Sequence, residues 1–513
     1  MTIEDVLGMK SIGGVTMSPD GGWVVYVVTT RDMEENGYDS DLWVVATDGT
    51  RSIHLTRGDA SDGGPQWAPD GSWLAFRSDR DENSQVWGIR PSGGEAWQVT
   101  EHPGGIGSFW IAPNGARIAF TAQPEKDEEE EAFEESRGRP MVADSAFASE
   151  WSLLWVAELK DGVASDAVQA SPEGLYVTEM VWRPDSEGWA FGARPSPLLR
   201  YYPQGSAYVQ EEVGGAARNV TEAMPGGEGP VAWDDTYGLI ISGSGQALGT
   251  FNSQLWGVDL SGAPPRSLTA GLDENAGFVA VAGSDLLVEV SNGTDRGLVR
   301  IPLADDDEGI APEPVSDGGY FYGGFSVSED GSQVAFIAQD PETPPDLFVS
   351  STTDFAPVRR STVNPQVADL AFGETRVVRW HSRADGEEIE GVLTLPIGHQ
   401  EGDRVPLLLR IHGGPSGVST VTFHGDDGTY PTQVFAGLGY AVLQPNYRGS
   451  TGYGERFRGL NRGDISGKDW IDIDSGVDFL VEEGIADPDR LGIMGWSFGG
   501  HHTLSLIHIS EPT

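Results

Sequence analysis

Through the first two thirds of the chain, apolar and polar residues alternate with the period of two that marks a half-buried strand. One unit recurs: an apolar residue, a Pro-Asp-Gly-like turn, then an alternating run. Met17-Ser18-Pro19-Asp20-Gly21 leads into WVVYV, and Trp67-Ala68-Pro69-Asp70-Gly71 leads into WLAF. Ile111-Ala112-Pro113-Asn114-Gly115 precedes RIAF, Trp182-Arg183-Pro184-Asp185 precedes GWAF, and Val327-Ser328-Glu329-Asp330-Gly331 precedes QVAF. Weaker copies sit near Trp233-Asp234-Asp235 and over residues 278–285. Each copy is followed by further strand signals, at residues 41–45, 85–89, 153–159, 207–212, 254–260, 297–303 and 346–350. Four short strands per roughly 45 residues, repeated seven times, predict a seven-bladed β-propeller over residues 1–363. Helical periodicity is missing there, which disfavours stacked solenoid repeats. The tryptophans of these units read as core between blades.

From about Asn364 the pattern changes. Residues 376–380, 389–395, 404–411 and 440–444 read as strands, and VPLLLRI is dense enough to be buried on both faces. Residues 470–483 then place Trp470, Ile473, Val477 and Leu480 on one helical face, with Asp469 and Asp472 near its positive end. Asp487-Pro488-Asp489-Arg490 reads as a turn and residues 491–494 as a buried strand. Strands alternating with helical segments predict an α/β domain with a largely parallel sheet over residues 364–503.

That last strand runs into Gly495-Trp496-Ser497-Phe498-Gly499-Gly500, a G-x-S-x-G pattern with a strand before it and an apolar helix start after it. Such a turn leaves no room for side chains two residues either side of the serine, so Gly495, Gly499 and Gly500 shape it. It projects the Ser497 hydroxyl to where a base could reach it, and Ser497 is the candidate nucleophile. Upstream, Ile411-His412-Gly413-Gly414-Pro415 ends a strand. Charge developing on a tetrahedral oxygen needs fixed N–H donors. The Phe498 amide is one candidate and the Gly414 amide the other, with Gly413 letting the backbone approach. His412 directly precedes these glycines and reads as a residue that orders the loop rather than as the base.

Composition narrows the setting. Acids outnumber bases 79 to 32, a net charge of −47, and only four of the bases are lysines. A polyanion would be repelled, so nucleic acid is disfavoured as a partner, and an anionic membrane surface likewise. Residues 1–10 lack the basic and apolar regions of a signal peptide. The chain is not a disordered acidic one, because 38% of it is hydrophobic and it holds 16 tryptophans. Excess charge of roughly one per 11 residues is self-repulsive in dilute salt and largely screened at molar salt, where the Debye length is about 3 Å. The expectation is a salt-adapted cytoplasmic protein. With no cysteine, disulfides, thiolate metal sites and a cysteine nucleophile are excluded, and no cofactor or metal is expected. The acidic residues 125–135, inside an insert over 124–140, read as a solvated loop rather than a clamp for a cationic substrate, as do Asp305-Asp306-Asp307-Glu308.

A sevenfold propeller followed by HGGP, then Asn446-Tyr447-Arg448-Gly449-Ser450-Thr451-Gly452-Tyr453-Gly454, then DPDRLGIMGWSFGG, resembles the prolyl oligopeptidase family of serine peptidases, nearest its acylaminoacyl-peptidase and dipeptidyl-peptidase branch. The resemblance covers residues 1–503. It implies a β-propeller plus α/β-hydrolase fold, peptide substrates, Ser497 as nucleophile, and the Phe498 and Gly414 amides as the oxyanion hole. It also implies a propeller that covers the active site. Sister branches carry a tyrosine at the position of His412, whose hydroxyl joins that hole.

A hydrolase of this order needs an Asp and then a His after the nucleophile, and only 16 residues follow Ser497. His501 and His502 fall on the helix leaving the elbow and read as packing or partly exposed residues. His508 lies in residues 504–513, LSLIHISEPT, which resembles a translated sequencing adapter and reads as a non-native tail. The expectation is therefore a peptidase truncated in its hydrolase domain, with the triad Asp and His missing, and inactive and aggregation-prone as it stands. Two other readings are an esterase on the same α/β fold, and a propeller binding module with a hydrolase remnant. Cleavage preference and oligomeric state are not legible in the sequence.

Overall fold

The computed structural model describes every residue except 35, 82, 125–150, 225–228, 236, 247–250, 303–310, 319 and 510–513. The acidic residues 125–135 and Asp305-Asp306-Asp307-Glu308 lie outside the described residues, so neither reading of them meets a structural observation.

Seven antiparallel meanders follow one another. The inner strands are Ser11–Met17, Asp62–Trp67, Ile106–Ile111, Tyr176–Trp182, Gly229–Asp234, Gly277–Ala282 and Phe321–Val327. Each pairs with the strand after it, and that with the next, to give blades 1 to 7. The repeated turn explains itself locally. In blade 1 the Ser18 hydroxyl donates to Asp20, which also accepts from the Gly22 amide at 3.0 Å, and Gly21 takes φ +70°. The Ser18 hydrogen bond holds the Asp20 carboxyl below its ordinary pKa. Gly71, Gly115 and Gly331 repeat this left-handed conformation, and blade 4, which lacks the glycine, puts Ser186 there at φ +64°.

Tryptophans at the ends of inner strands tie neighbouring blades. Trp67 Nε1 donates to Thr16 O of blade 1 at 3.2 Å, and Trp182 Nε1 donates to Trp110 O of blade 3 at 3.1 Å. The ring closes without strand exchange. Met17, Val24 and Tyr26 of blade 1 pack with Ala335, Leu347 and Val349 of blade 7, and the Met17 amide donates to Ser326 Oγ at 2.9 Å.

The α/β layer has five strands: β1 (Thr375–His381), β2 (Glu388–Thr394), β3 (Val405–Ile411), β4 (Ala441–Asn446) and β5 (Ala486–Gly495), in the order β1-β2-β4-β3-β5. β3 pairs parallel with β4 and β5, while the β1/β2 and β2/β4 pairs are antiparallel. The Asp487–Arg490 turn does form, but as a bulge inside β5. Val405 pairs Ala486 and Leu407 already pairs Leu491, so two residues of β3 span five of β5. The Asp487 carboxylate holds that bulge, accepting from the Asp489 amide at 3.0 Å and from Arg490 Nε at 2.7 Å. The helix Lys468–Glu482 packs on β1 and β5 and buries Ile473 and Leu480 in one core with Trp380, Leu409 and Leu443.

Residues 1–10, grouped with the propeller by the sequence reading, precede its first strand. Blade 1 begins at Ser11, while Met9 packs with Val367 and Phe423 beside the α/β layer, together with Met1. Arg31 of blade 1 fixes this segment by donating to Val6 O and Met9 O. Across the ring, Glu274 accepts from the Gly452 and Gly454 amides at 2.7 and 3.2 Å, and the Gly293 amide donates to Gly452 O at 2.7 Å. These contacts fix which end of the propeller faces the α/β layer: the end where inner strands begin and second strands finish.

Candidate active site

β5 ends at Gly495, the chain reverses through Trp496 and Ser497, and the helix Phe498–Ile509 begins. Ser497 has φ +55°, a left-handed conformation that costs a non-glycine residue on the order of 1–3 kcal/mol. The side chain stands exposed as a result. Two glycines permit the reversal. A Cβ at Gly499 would lie 2.0 Å from Ile411 O, and one at Gly495 would lie 2.6 Å from the Gly499 backbone. The steric demand stops there: a Cβ at Gly500 would meet nothing closer than Gly495 O at 3.4 Å.

The loop after β3 runs along the elbow. A Cβ on Gly413 would stand 3.2 Å from Ser497 Cβ, and Gly414 adopts φ +129°. Among the described residues, neither the Phe498 amide nor the Gly414 amide donates to a protein acceptor. The Phe498 amide also opens a twelve-residue helix, where backbone N–H groups and the dipole favour negative charge. The arrangement offers an exposed hydroxyl beside uncommitted backbone donors, which suits addition to a carbonyl and stabilisation of the resulting oxyanion.

His412 sits within this loop. Its Nδ1–H donates to Gly413 O at 2.9 Å, its Nε2 lies 3.0 Å from Ser450 Oγ, and its ring stacks on Tyr447 with centroids 4.5 Å apart. Burial pushes its pKa down to about 4, so the ring is neutral at pH 7 and both nitrogens are spoken for. This geometry is that of an ordering residue. Tyr447 adds a hydroxyl donated to His412 O at 3.0 Å, Thr451 Oγ1 donates to Ser416 O at 2.7 Å, and Asn446 exchanges hydrogen bonds with the Ser419 backbone.

That brace is itself anchored by Arg448 and Asp385, to which sequence reasoning gave no role, together with Asp472. Arg448, with its side chain 2% exposed, grips Asp472 through Nε and Nη2, each at 2.8 Å, and Asp385 through Nη1 and Nη2 at 3.0 and 2.9 Å. Burial alone would lower the Arg448 pKa, but the two carboxylates outweigh it and raise it. Asp472, expected to serve the helix dipole, instead neutralises this guanidinium. A lone arginine after an apolar strand, with aspartates in the first turns of the next helix, was the available signal.

The histidines after the elbow point elsewhere. His501 Nε2 lies 2.6 Å from Ser466 Oγ, and His502 is buried against Phe498 and Tyr447, with Nε2 3.6 Å from Asp469. Among the described residues, no imidazole or carboxylate hydrogen-bonds Ser497 Oγ. The His508 side chain and residues 510–513 lie outside the described residues. Among those described, no group of His, Asp and Glu is arranged to hold a metal, and no helix is long and apolar enough to cross a membrane.

The profile of the prolyl oligopeptidase family matches residues 429–512, a span that contains the whole elbow and the Asn446–Gly454 brace. Over those residues the chain is similar to this family. It is accordingly a serine peptidase by class, a hydrolase. A TolB beta propeller domain matches residues 8–150. An uncharacterized peptidase of Bacillus subtilis, YuxL, is 25% identical over 98% of this chain and 79% of its own length. Dipeptidyl-peptidase 5 of Porphyromonas gingivalis is 23% identical over 98% of this chain and 75% of its own. The fold is that of the acylaminoacyl peptidase of Pyrococcus horikoshii, with a TM-score of 0.79 at 19% identity, covering 99% of this chain and 77% of that one.

Proposed function

We propose that Ser497 is the nucleophile of a peptidase acting on short peptides, releasing an acyl-amino acid or a dipeptide, through an acyl-enzyme stabilised by the Phe498 and Gly414 amides. The observation that carries this is the left-handed elbow at Ser497 lying against the Gly413-Gly414 loop, with both amides uncommitted. Relatives named dipeptidyl-peptidase 5 and acylamino-acid-releasing enzyme support the substrate class. No described group stands ready to take the Ser497 proton, so added imidazole should speed turnover. The net charge of −47 supports a high-salt cytoplasm as its setting.

The test compares aminoacyl-anilides with acyl esters in imidazole buffer, with Ser497→Ala as the control. Ser497-dependent anilide cleavage is expected. Ester turnover without any amide cleavage overturns the peptidase reading in favour of an esterase.

A further inference from the structure

A cavity of about 810 Å³ lies in blades 2 to 4, away from the elbow. Its walls are where the inner strands of blades 3 and 4 begin, with Ser108, Tyr176 and Thr178, and where second strands finish, with Arg77, Thr121 and Arg194. That is the end of the propeller which, through Glu274 and Gly293 of blade 6, meets the α/β layer. A ligand in the cavity is therefore on the same side as the candidate nucleophile.

Arg194 is the unusual member. Its guanidinium carbon lies 4.8 Å from the Tyr176 ring centre and 3.7 Å from that of Tyr202. Aromatic rings engage a guanidinium by its face, which leaves the in-plane N–H fork for a planar anion. Among the described residues Arg194 has no hydrogen-bond acceptor and no carboxylate within 4 Å, and its Nε is shut off from solvent without a partner. In a chain with 79 acids, unpaired arginine is conspicuous. Other propeller arginines, such as Arg80 on Asp62 and Arg300 on Asp285, are paired. Glu179 feels the Arg194 charge but forms no ion pair with it; its carboxylate is turned into space that Gly192 and Gly229 leave open, where a Cβ on either would collide with it. Burial also pushes its carboxyl towards the neutral form. Arg77 completes the cationic wall, held by an Nη1 hydrogen bond to Gly107 O at 2.7 Å and otherwise exposed.

We propose that this cavity is a carboxylate-binding subsite, in which the Arg194 fork, assisted by Arg77 and the Ser108 hydroxyl, holds a carboxylate of a peptide substrate. The proposal rests on the peptidase reading for the word substrate, but the site itself is a matter of binding. A bidentate guanidinium–carboxylate pair is charge-assisted and geometrically selective. It also gives a strongly acidic protein a local reversal of sign where an anionic peptide end can be received.

The test is equilibrium binding to the whole chain carrying Ser497→Ala, by fluorescence anisotropy at fixed ionic strength, so that turnover plays no part. The probes are dye-labelled tetra-alanine as the free acid and as the C-terminal amide, and an amidated peptide with internal Asp or Asn. At least tenfold tighter binding of the free acid supports the subsite with the C-terminal carboxylate as its source. The same preference for Asp over Asn supports it with a side-chain source. Either preference should vanish in Arg194→Gln and weaken in Arg77→Gln, whose exposed position makes it safe for folding. Equal binding within both pairs overturns the proposal, as does a preference that survives Arg194→Gln. Carboxylate preference in a protein whose Ser497 proves unreactive would sink the peptidase reading alone. A reactive Ser497 without carboxylate preference would sink the subsite alone.

Discussion

Replacing Arg448 by methionine keeps the volume and removes the charge from the brace behind the Gly413-Gly414 loop. The guanidinium is buried, and its removal strands Asp472, whose side chain is 0% exposed, with the Arg448 amide as its remaining donor in this network. Breaking a buried ion pair from one side costs about 3–5 kcal/mol, because an uncompensated charge stays inside. Asp385 loses less, since it is partly exposed and retains Lys468 at 3.0 Å. The double variant Arg448→Met/Asp472→Leu removes both charges and should return to within about 1–2 kcal/mol of the parent. A two-domain chain need not unfold in one step, so the readout is local. Hydrogen exchange of β4 peptides in graded urea, read by mass spectrometry, reports the stability of this layer. Arg448→Met should open β4 at clearly lower urea, and the double variant should recover most of the loss. A cost under about 1 kcal/mol for Arg448→Met, or a double variant as unstable as the sum of the singles, refutes the account of the brace.

Three further outcomes follow from the same geometry. His412 titrates near 4 when folded against 6.5 when free, so its contribution to stability is complete above pH 6.5 and is lost as pH falls towards 4. The stability advantage of the parent over His412→Gln should shrink by about 3 kcal/mol between pH 7 and 4, and an unchanged gap contradicts the neutral ring. Gly499→Ala should abolish imidazole-assisted fluorophosphonate labelling, because its Cβ would lie 2.0 Å from Ile411 O, whereas Gly500→Ala should retain at least half of it. Lowering potassium chloride from molar to millimolar should unfold the protein, followed by tryptophan fluorescence, since roughly 47 uncompensated negative charges are then unscreened. Unchanged fluorescence would remove the salt-adaptation reading.

Much of this fold is local chemistry repeated, which is why it was legible. The Ser-Pro-Asp-Gly turn fixes its own hydrogen bonds, as Ser18 and Asp20 do, and recurs often enough to count blades. The elbow was legible for the same reason, since Gly495 and Gly499 are demanded within one turn. Long-range partnerships were not. Arg448 meets Asp385 across 63 positions and Asp472 across 24, with no spacing to announce either. The packing of Met9 on Val367 and Phe423, which takes residues 1–10 to the α/β layer, depends on how the propeller ring closes. The Asp487–Arg490 turn was read correctly as a turn but not as a bulge, because only pairing with β3 shows that the strand resumes on both sides of it.

The most direct test of the account is fluorophosphonate labelling of the 513-residue chain with and without added imidazole, with the adduct located by peptide mass. An adduct at Ser497, lost in Ser497→Ala and formed at least tenfold faster with imidazole, is the result predicted by an exposed serine on the elbow beside which no described residue stands as proton acceptor. No adduct at Ser497 under either condition would contradict it.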